Sequence, residues 1–513
     1  MTNRNNIILN TGVSYVSLVL KMIIGLFSVR LILRALGEVD YGVYIIVGGI
    51  VAMLDILNSN MTNTSMRYLA YSLGNKNKDD ILVTFNTTVF IHYIIGLITI
   101  VILEVGGIFM FEYIVNIPAE RMHDARIIYQ FMIATTFINI ISVPYDAVTN
   151  AHEHIWILSV FDILNSCLVL LLSLYLLVFD GNRLLLYGFS LLLIQLLMRF
   201  FKVLYAKRKF GECRKIKREY IERERIKGII SFTGWNLFGS LSALGMKQFR
   251  SFMLNFFFGV RVNAAEGVTH QVANPLNMIV SSMTRAINPQ IMKSEGGENR
   301  ERMKYIVAIG SKYSTFLFAV FGIPVLIEIP FLLDIWLDKV PEFAVAFCQL
   351  SIISMLLEKF TFQIVHAISA VGNIRNFQIA GAFSSFVYLP LAWLAFKYGY
   401  SPVSIYVLSL LSTVLMALVR LHYGRTVAGI NPLNFIKKSV LPVLWPLLIS
   451  SILAIILYVF IHNEWINLLA VFFAFVLTFT SLFWFIGMEK AEQNKWRDII
   501  QKFLKKLRCS KKV

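Results

Sequence analysis

The chain has 513 residues, of which 57% are hydrophobic and 15% charged, and its mean hydropathy is +0.68. Because a soluble protein needs about a quarter of its residues charged to cover its surface, this composition excludes a soluble globular domain and indicates a polytopic membrane protein. The net charge of +18 is explained by basic cytoplasmic loops that attract anionic lipid, and it does not call for a nucleic-acid partner.

Apolar runs of about 20 residues, the length that crosses a bilayer, recur along the chain. They predict an all-α membrane protein of about 14 transmembrane helices, with no polar stretch long enough for a soluble domain. The predicted centres, in chain order, are Met22, Met53, Ile98, Ile138, Leu171, Leu193, Leu244, Met278, Phe318, Met355, Phe386, Leu411, Leu453 and Phe475.

Basic residues in the loops predict the orientation. Short loops on one side hold about 31 lysines and arginines and the opposite loops about 6, so both termini are expected in the cytoplasm. The first apolar run is expected to stay in the mature protein, because Lys21 interrupts it and no small-residue cleavage pattern follows. The last residues alternate basic and apolar groups as an amphipathic helix on the inner leaflet would.

A weak self-similarity at a spacing of roughly 220 residues predicts two matched halves with a cavity between them. Leu36 and Gly37 correspond to Phe258 and Gly259, and Gly74 corresponds to Gly296. The predicted division has five segments: an N-lobe of helices 1–6 (1–205), a basic cytoplasmic linker (206–228), a C-lobe of helices 7–12 (229–424), helices 13–14 (425–487), and a basic amphipathic cytoplasmic tail (488–513).

Cations inside apolar runs suggest an anionic cargo. A cation at bilayer depth costs at least about 2.5 kcal/mol, so it usually faces a cavity or a partner. The candidates for binding a diphosphate are Lys21, Lys247, Arg250, Lys312 and Lys359. Lys359 follows Glu358, so an ion pair between helices is the alternative for that residue.

Four arginines near helix ends are candidates for gating or cargo access: Arg30, Arg34, Arg67 and Arg285. Arg30 and Arg34 would alternatively extend to the membrane interface, and topology alone accounts for the other two. Four acids inside apolar runs are candidates for ion coupling or for neutralising the cations: Asp55, Asp146, Glu266 and Glu358.

Three segments carry a resemblance to a known family: VRLILRALGEVDYGVY after the first helix, SMRYLAYSLGNKNKDD, and VPYDAVTNAHEH. They resemble the Wzx polysaccharide flippases of the multidrug, oligosaccharidyl-lipid and polysaccharide (MOP) exporter superfamily. These flippases serve the synthesis of O-antigen, capsule and exopolysaccharide. The resemblance implies two six-helix lobes that work by alternating access in the bacterial inner membrane. It also implies undecaprenyl-diphosphate-linked oligosaccharide as cargo, flipped from the cytoplasmic to the periplasmic leaflet. Polysaccharide polymerase or assembly proteins, and H⁺ or Na⁺, are further partners that it leaves open.

Other functions find less support in the sequence. No phosphate-binding loop, nucleophile elbow or metal-ligand spacing is present, so we expect neither an enzyme nor a bound cofactor or metal. A drug/cation antiporter of the same superfamily is the stronger alternative. It would be expected to place acids in the cavity, and the first helix has none between Val13 and Leu36. A lipid II flippase shares the predicted cargo chemistry and stays open.

Overall fold

The computed structural model describes residues 2–52, 55–75, 77–114, 117, 119–214, 216–337, 340–494 and 497, and every regular element in these ranges is helical. The α-helices of the first half are Thr2–Ala52 (α1), Asp55–Gly74 (α2), Lys78–Phe109 (α3), Ala119–Ala151 (α4), Ile155–Val178 (α5), Arg183–Lys209 (α6), Arg223–Phe258 (α7) and Val260–Gly296 (α8). Those of the second half are Arg300–Trp336 (α9), Ala344–Lys359 (α10), Phe362–Val371 (α11), Arg375–Phe386 (α12), Tyr388–Lys397 (α13), Val403–Thr426 (α14), Pro432–Phe435 (α15), Leu441–Phe460 (α16) and Glu464–Leu482 (α17). The predicted all-α fold is confirmed.

Several helices begin at an asparagine. The side-chain oxygens of Asn77, Asn182, Asn431 and Asn463 accept hydrogen bonds from backbone N–H groups of the first turn of α3, α6, α15 and α17. These N–H groups have no partner inside the helix, so an asparagine at this position stabilises the helix start.

Two glycines break long helices at corresponding places. Gly37 interrupts α1 with a φ of +77°, and Gly259 separates α7 from α8 with a φ of +78°. Only glycine adopts this left-handed region without a steric cost. The two glycines that the sequence predicted to correspond thus share a positive φ of nearly equal size.

Ten helical segments in the described ranges are long and apolar enough to cross a membrane, or eleven if α10 and α11, bent by 43° at a short break, count as one span. The expected number of about 14 is therefore not confirmed. The difference falls on α2, α7 and α8, which are 20, 36 and 37 residues long but carry many polar residues. A helix with this composition does not face lipid all round, and it suits contact with water or with other polar groups.

The described chain groups into two compact units. One unit contains Met1–Leu241, Arg285–Met303 and Ser369–Gln378, and its apolar core forms around Ile128, Leu176 and Leu184. The other contains Ser242–Thr284, Lys304–Ile368 and Ile379–Val513, with apolar cores around Phe318 and Phe475 and around Phe347 and Tyr406. We call them unit 1 and unit 2. The predicted lobe boundaries at residues 205 and 229 stay a prediction, and most of the predicted amphipathic tail lies outside the described residues.

Candidate functional site

Lys21 forms an ion pair inside unit 1. Its ammonium lies 2.8 Å from the Asp162 carboxylate of α5, and both side chains are 35% exposed. Small polar groups continue this contact along the same two helices, where Ser17 donates to the Ser159 carbonyl oxygen and the Ser14 hydroxyl lies 3.3 Å from the Ser159 hydroxyl. The pair is reachable from outside the protein, which a cargo-binding residue requires.

Lys247 and Arg250 lie on α7 in unit 2 and differ in their surroundings. Lys247 is exposed, and its ammonium has neither a carboxylate nor a hydrogen-bond partner among the described residues. The Arg250 guanidinium lies 2.8 Å from the buried Glu266 carboxylate and covers the ring of Tyr406 at 4.7 Å. His270, one turn further on α8, approaches the same carboxylate at 3.7 Å. Lys247 is therefore open to a ligand, whereas Arg250 is occupied.

Lys312 is a buried structural residue in this conformation. Its ammonium pairs with Glu492 and donates to the carbonyl oxygen of Gly487, and the lysine side chain is 3% exposed. A charge enclosed in this way is not open to a cargo. Lys312 therefore differs from Lys247, whose side chain is exposed.

Lys359 belongs to a cluster at the break between α10 and α11. Its ammonium lies 2.9 Å from the Asn277 side-chain oxygen and 3.7 Å from the Glu358 carboxylate. Arg420 of α14 donates to the same carboxylate at 3.0 Å. Lys359 and Glu358 belong to the same helix, so the ion pair between helices is the one that Arg420 makes with Glu358. Arg420 is a member that sequence reasoning missed.

Arg67 is buried in unit 1 without a carboxylate in contact among the residues that the structure describes. It donates to the carbonyl oxygens of Ser369 at 2.6 Å and Ala370 at 2.9 Å, at the carboxyl end of α11. Its guanidinium also covers the rings of Tyr68 and Phe232, both at 4.7 Å. A cation at this helix end satisfies carbonyls that lack partners within the helix.

A second contact lies at the end of α4 in the same unit. Glu153 has a positive φ of 65°, and its buried carboxylate accepts hydrogen bonds from Lys293 at 2.9 Å and Gln290 at 3.2 Å. Its carbonyl oxygen accepts from Asn10 of α1 at 2.7 Å. Together with Arg67, these bonds fasten the segments 285–303 and 369–378 to the rest of unit 1.

The remaining predicted residues are distributed as follows. Arg30, Arg34 and Arg285 are exposed, and no carboxylate among the described residues pairs with them. Asp146 accepts a hydrogen bond from Lys202 of α6 at 2.9 Å. The side chain of Asp55 lies outside the part of the chain whose side chains are described.

Three cations in the later turns of their helices were not singled out from the sequence. Lys202 and Arg199 lie on α6, and Arg199 donates to the Ile138 carbonyl and the Ser142 hydroxyl, both at 3.2 Å. Arg199, Lys202 and Arg420 lie close to the basic ends of their helices. In the sequence they therefore look like residues that extend to the membrane interface. Only their contacts with other helices distinguish them.

Two histidines follow α4, outside the candidate spans. His152 lies 2.6 Å from the Glu212 carboxylate. Burial raises the pKa of Glu212, but the hydrogen bonds with His152 and a backbone N–H outweigh burial and hold that pKa below 4.5. Burial, together with the nearby charges of Lys209, His152 and Lys293, lowers the pKa of His154 below 6.5.

A cavity of about 360 Å³ lies between α3 and α4 of unit 1, lined by Glu104, Arg126 and Gln130 among others. None of the predicted site residues lines it. The described residues contain no group of three or more histidines, cysteines and acids able to hold a metal ion.

Comparison with known proteins bears on the fold. No protein-family model matches the chain, and no curated protein matches it. Among solved structures, an outward-facing multidrug resistance MATE family transporter of the MOP superfamily is similar over 83% of this chain and 96% of its own, with a TM-score of 0.72 and 14% identity. A MOP superfamily transporter from Pyrococcus furiosus, whose binding pocket of reverse polarity suggests a different function, covers the same shares with a TM-score of 0.71 and 15% identity. A MATE protein in the straight conformation is similar over 83% of this chain and 96% of its own, with a TM-score of 0.71 and 14% identity. The chain therefore has the fold of the MATE family transporters of the MOP superfamily.

Proposed function

We propose that this chain is a flippase that moves polyprenyl-diphosphate-linked oligosaccharide across the bacterial inner membrane by alternating access. Its cargo would carry a diphosphate and several hydroxyls through hydrocarbon, where unpaired polar groups cost several kcal/mol each. A water-filled path lined by cations removes most of this cost, while the prenyl tail stays in lipid. The polar helix α7, which carries the exposed Lys247, suits such a path.

The charge balance inside the helices is the observation that supports an anionic cargo. Four of the carboxylates there already contact a lysine or an arginine: Asp146, Asp162, Glu266 and Glu358. Lys247 and Arg199, in contrast, have no carboxylate partner among the described residues. A cation without an internal counter-ion attracts an anion and repels a cationic drug.

The fold is compatible with either polarity of cargo. The similar structures include a multidrug resistance transporter and a protein described as having a binding pocket of reverse polarity. Since one fold occurs with both, the charge of the side chains has to decide between them.

A drug/cation antiporter is the second candidate, and Glu328 favours it. This residue of α9 is 1% exposed, and one of its carboxylate oxygens has no hydrogen-bond partner among the described residues. A buried acid without a counter-ion takes up a proton or a cation, which is what an antiporter needs. The two functions therefore predict opposite essential residues, Lys247 and Glu328.

The test is transport by the purified full chain in liposomes, with a fluorescent prenyl-diphospho-oligosaccharide as one cargo and tetraphenylphosphonium as the other. We expect Lys247→Ala to reduce flipping of the sugar cargo about tenfold or more, and Lys247→Arg to retain most of it. Lys397→Ala is the matched control, because Lys397 is an exposed lysine at the end of α13. Lipid II as a third cargo separates the two classes of flippase.

The outcomes are distinct. Flipping of the sugar cargo that depends on Lys247 and not on Glu328 supports the proposal. Proton-driven tetraphenylphosphonium transport that is lost in Glu328→Gln and unchanged in Lys247→Ala would establish the antiporter instead. Membrane abundance of each variant is measured in parallel.

A further inference from the structure

The break between α10 and α11 gathers charges inside candidate membrane-spanning segments. Glu358 is the residue before the last of α10, Lys359 is the last, and α11 starts at Phe362. Arg420 reaches this point from α14, where it lies about 9 Å before the helix end at Thr426. All of these residues belong to unit 2, so the cluster is a feature of one compact body.

The cluster carries one positive charge more than its carboxylate balances. Lys359 and Arg420 share the single carboxylate of Glu358, at 3.7 and 3.0 Å. The same two cations lie over the ring of Phe362, at 5.2 and 5.6 Å from its centre. Aromatic contact stabilises a cation only partly, so a net charge of this kind in a membrane favours the approach of an anion.

Hydrogen bonding in the cluster is incomplete. One guanidinium nitrogen of Arg420, Nε, has no acceptor among the described residues, although the side chain is only 7% exposed. The enclosed Nε2 atom of the half-buried His366, on α11, likewise has no partner there. Enclosed polar atoms without hydrogen-bond partners are uncommon, and at a functional site they suggest a missing ligand.

The carboxylate is the accessible member of the cluster. The Glu358 side chain is 34% exposed, whereas those of Lys359 and Arg420 are 7% exposed. Since an ionised carboxylate is costly in contact with lipid, its exposed part is expected to face water. Glu358 thus lies in front of the two cations, in the place that a ligand anion would take.

We infer that Lys359 and Arg420 form a binding site for the diphosphate of the cargo, and that Glu358 occupies this site as an internal anion until it takes up a proton. This inference rests on the proposed function and deepens it. Protonation of Glu358 leaves two positive charges without a counter-ion. A diphosphate esterified at both ends carries two negative charges and balances them. Loss of the proton restores the internal ion pairs and releases the diphosphate.

A structural role for Arg420 has to be separated from this one. Its Nη1 atom donates to the carbonyl oxygen of Glu358 at 3.3 Å, and the same oxygen accepts from the Thr361 N–H at 3.2 Å, so the arginine reinforces the helix break. The titratable and charged groups that face Glu358 are Lys359, Arg420 and, behind the arginine, His366. Loss of this contact changes stability, but it does not by itself make diphosphate binding depend on pH.

The experiment measures binding of farnesyl-diphospho-glucose to the full chain in detergent between pH 5.5 and 8. Both phosphates of this probe are diesters, so its charge stays constant in this range and any pH dependence comes from the protein. For the unchanged chain we expect Kd to rise about tenfold or more from pH 5.5 to 8. Glu358→Gln should bind tightly at both values, with a change below about threefold, because its amide mimics the protonated acid.

Variants of the cations complete the test. Arg420→Gln should bind about tenfold more weakly at pH 5.5, while Arg420→Lys should bind with intermediate affinity and keep the pH dependence. Arg425→Gln, an exposed arginine on the same helix, is the matched control and should bind as the unchanged chain does. Thermal unfolding of each variant shows whether it is folded. His366→Gln should leave the pH dependence in place.

Each failure has its own meaning. This site is overturned if Glu358→Gln keeps the pH dependence, or if folded Arg420→Gln keeps its affinity. The proposed function stays intact in that case if probe binding depends on Lys247. If Glu358 instead binds a cationic ligand, the pH dependence of binding has the opposite direction. The inference is overturned if tetraphenylphosphonium binds more tightly as the pH rises and Glu358→Gln abolishes this binding. Absence of probe binding at every pH, with transport of that cation, overturns the proposed function as well.

Discussion

Gly74 of α2 and Gly296 of α8 pack against each other reciprocally: a Cβ atom on Gly74 would overlap the carbonyl oxygen of Lys293, and one on Gly296 would overlap that of Tyr71. Each glycine thus meets the residue three positions before the other. The two helix ends thus approach each other backbone to backbone at these glycines. Both pairs of residues lie in unit 1, which includes the end of α8.

Replacing either glycine by alanine should destabilise the protein. In a helix, alanine is otherwise favoured over glycine by about 1 kcal/mol, so a loss of stability isolates the effect of close packing. We expect Gly74→Ala and Gly296→Ala each to lose about 1 to 3 kcal/mol, because backbone has to move to admit the methyl group. Gly106→Ala in α3 is the control, since no atom lies near its Cβ position. Thermal unfolding in detergent measures all three, and equal stability of Gly74→Ala and Gly106→Ala would contradict the prediction.

Arg67 should not tolerate replacement by lysine. Two carbonyl oxygens, of Ser369 and Ala370, accept from separate nitrogens of its planar group, and a lysine cannot keep both bonds and the aromatic contacts. We expect Arg67→Lys to lower the free energy of unfolding by about 2 kcal/mol. Gly372→Ala should also destabilise, because Gly372 has a φ of +98° and an added Cβ would overlap the Arg67 guanidinium. Arg285→Lys, at an exposed arginine, should be neutral in the same unfolding assay.

The buried pair of Lys312 and Glu492 distinguishes a structural cation from a cargo-binding one. Lys312→Met removes one partner and leaves a buried carboxylate uncompensated, so we expect a loss of about 3 to 5 kcal/mol. The double variant Lys312→Met, Glu492→Leu removes both charges and should recover most of that stability. Flipping of the sugar cargo by the folded double variant should equal that of the unchanged chain. A folded double variant without transport would return Lys312 to the cargo site.

His154 should make stability depend on pH. Its pKa is lowered in the folded chain, chiefly by burial and by nearby positive charges, so folding favours the neutral ring. Its contribution to stability is complete above the ordinary pKa of 6.5 and is lost as the pH falls below that value toward the folded pKa. The midpoint of thermal unfolding should therefore fall more steeply between pH 7.5 and 5.5 in the unchanged chain than in His154→Gln. Parallel curves for the two proteins would refute this role.

Asp162 should compete with the cargo for Lys21. The two side chains are 2.8 Å apart and partly exposed, so the Asp162 carboxylate pairs with the Lys21 ammonium when no cargo is bound. We expect Asp162→Asn to bind farnesyl-diphospho-glucose about threefold or more tighter than the unchanged chain, because one competing anion is gone. Asp162→Asn combined with Lys21→Ala should lose this gain. Equal affinity of Asp162→Asn and the unchanged chain would contradict a cargo-binding role for Lys21.

Hydropathy made the all-α membrane architecture predictable, because the ability of a segment to cross lipid depends on its own residues. Lys21 and Lys247 could be proposed as candidates for the same reason, since a cation within an apolar run can be read directly from the sequence. The same dependence on a segment's own residues also explains the uncertain helix count. The polar residues of α2, α7 and α8 weaken their hydropathy whether or not these helices cross the membrane.

The pairing of charges was decided by tertiary structure alone. Lys21 and Asp162, Lys312 and Glu492, and Glu358 and Arg420 are far apart in the chain and adjacent in space. A cation without a carboxylate partner is directly open to an anion, whereas a paired cation binds one only after its carboxylate is displaced or protonated. The folded packing therefore separates Lys247 from the enclosed Lys312, although both look alike in the sequence. Composition determined by itself that the chain lies in lipid; the contacts between helices determined which of its charges remain free to act there.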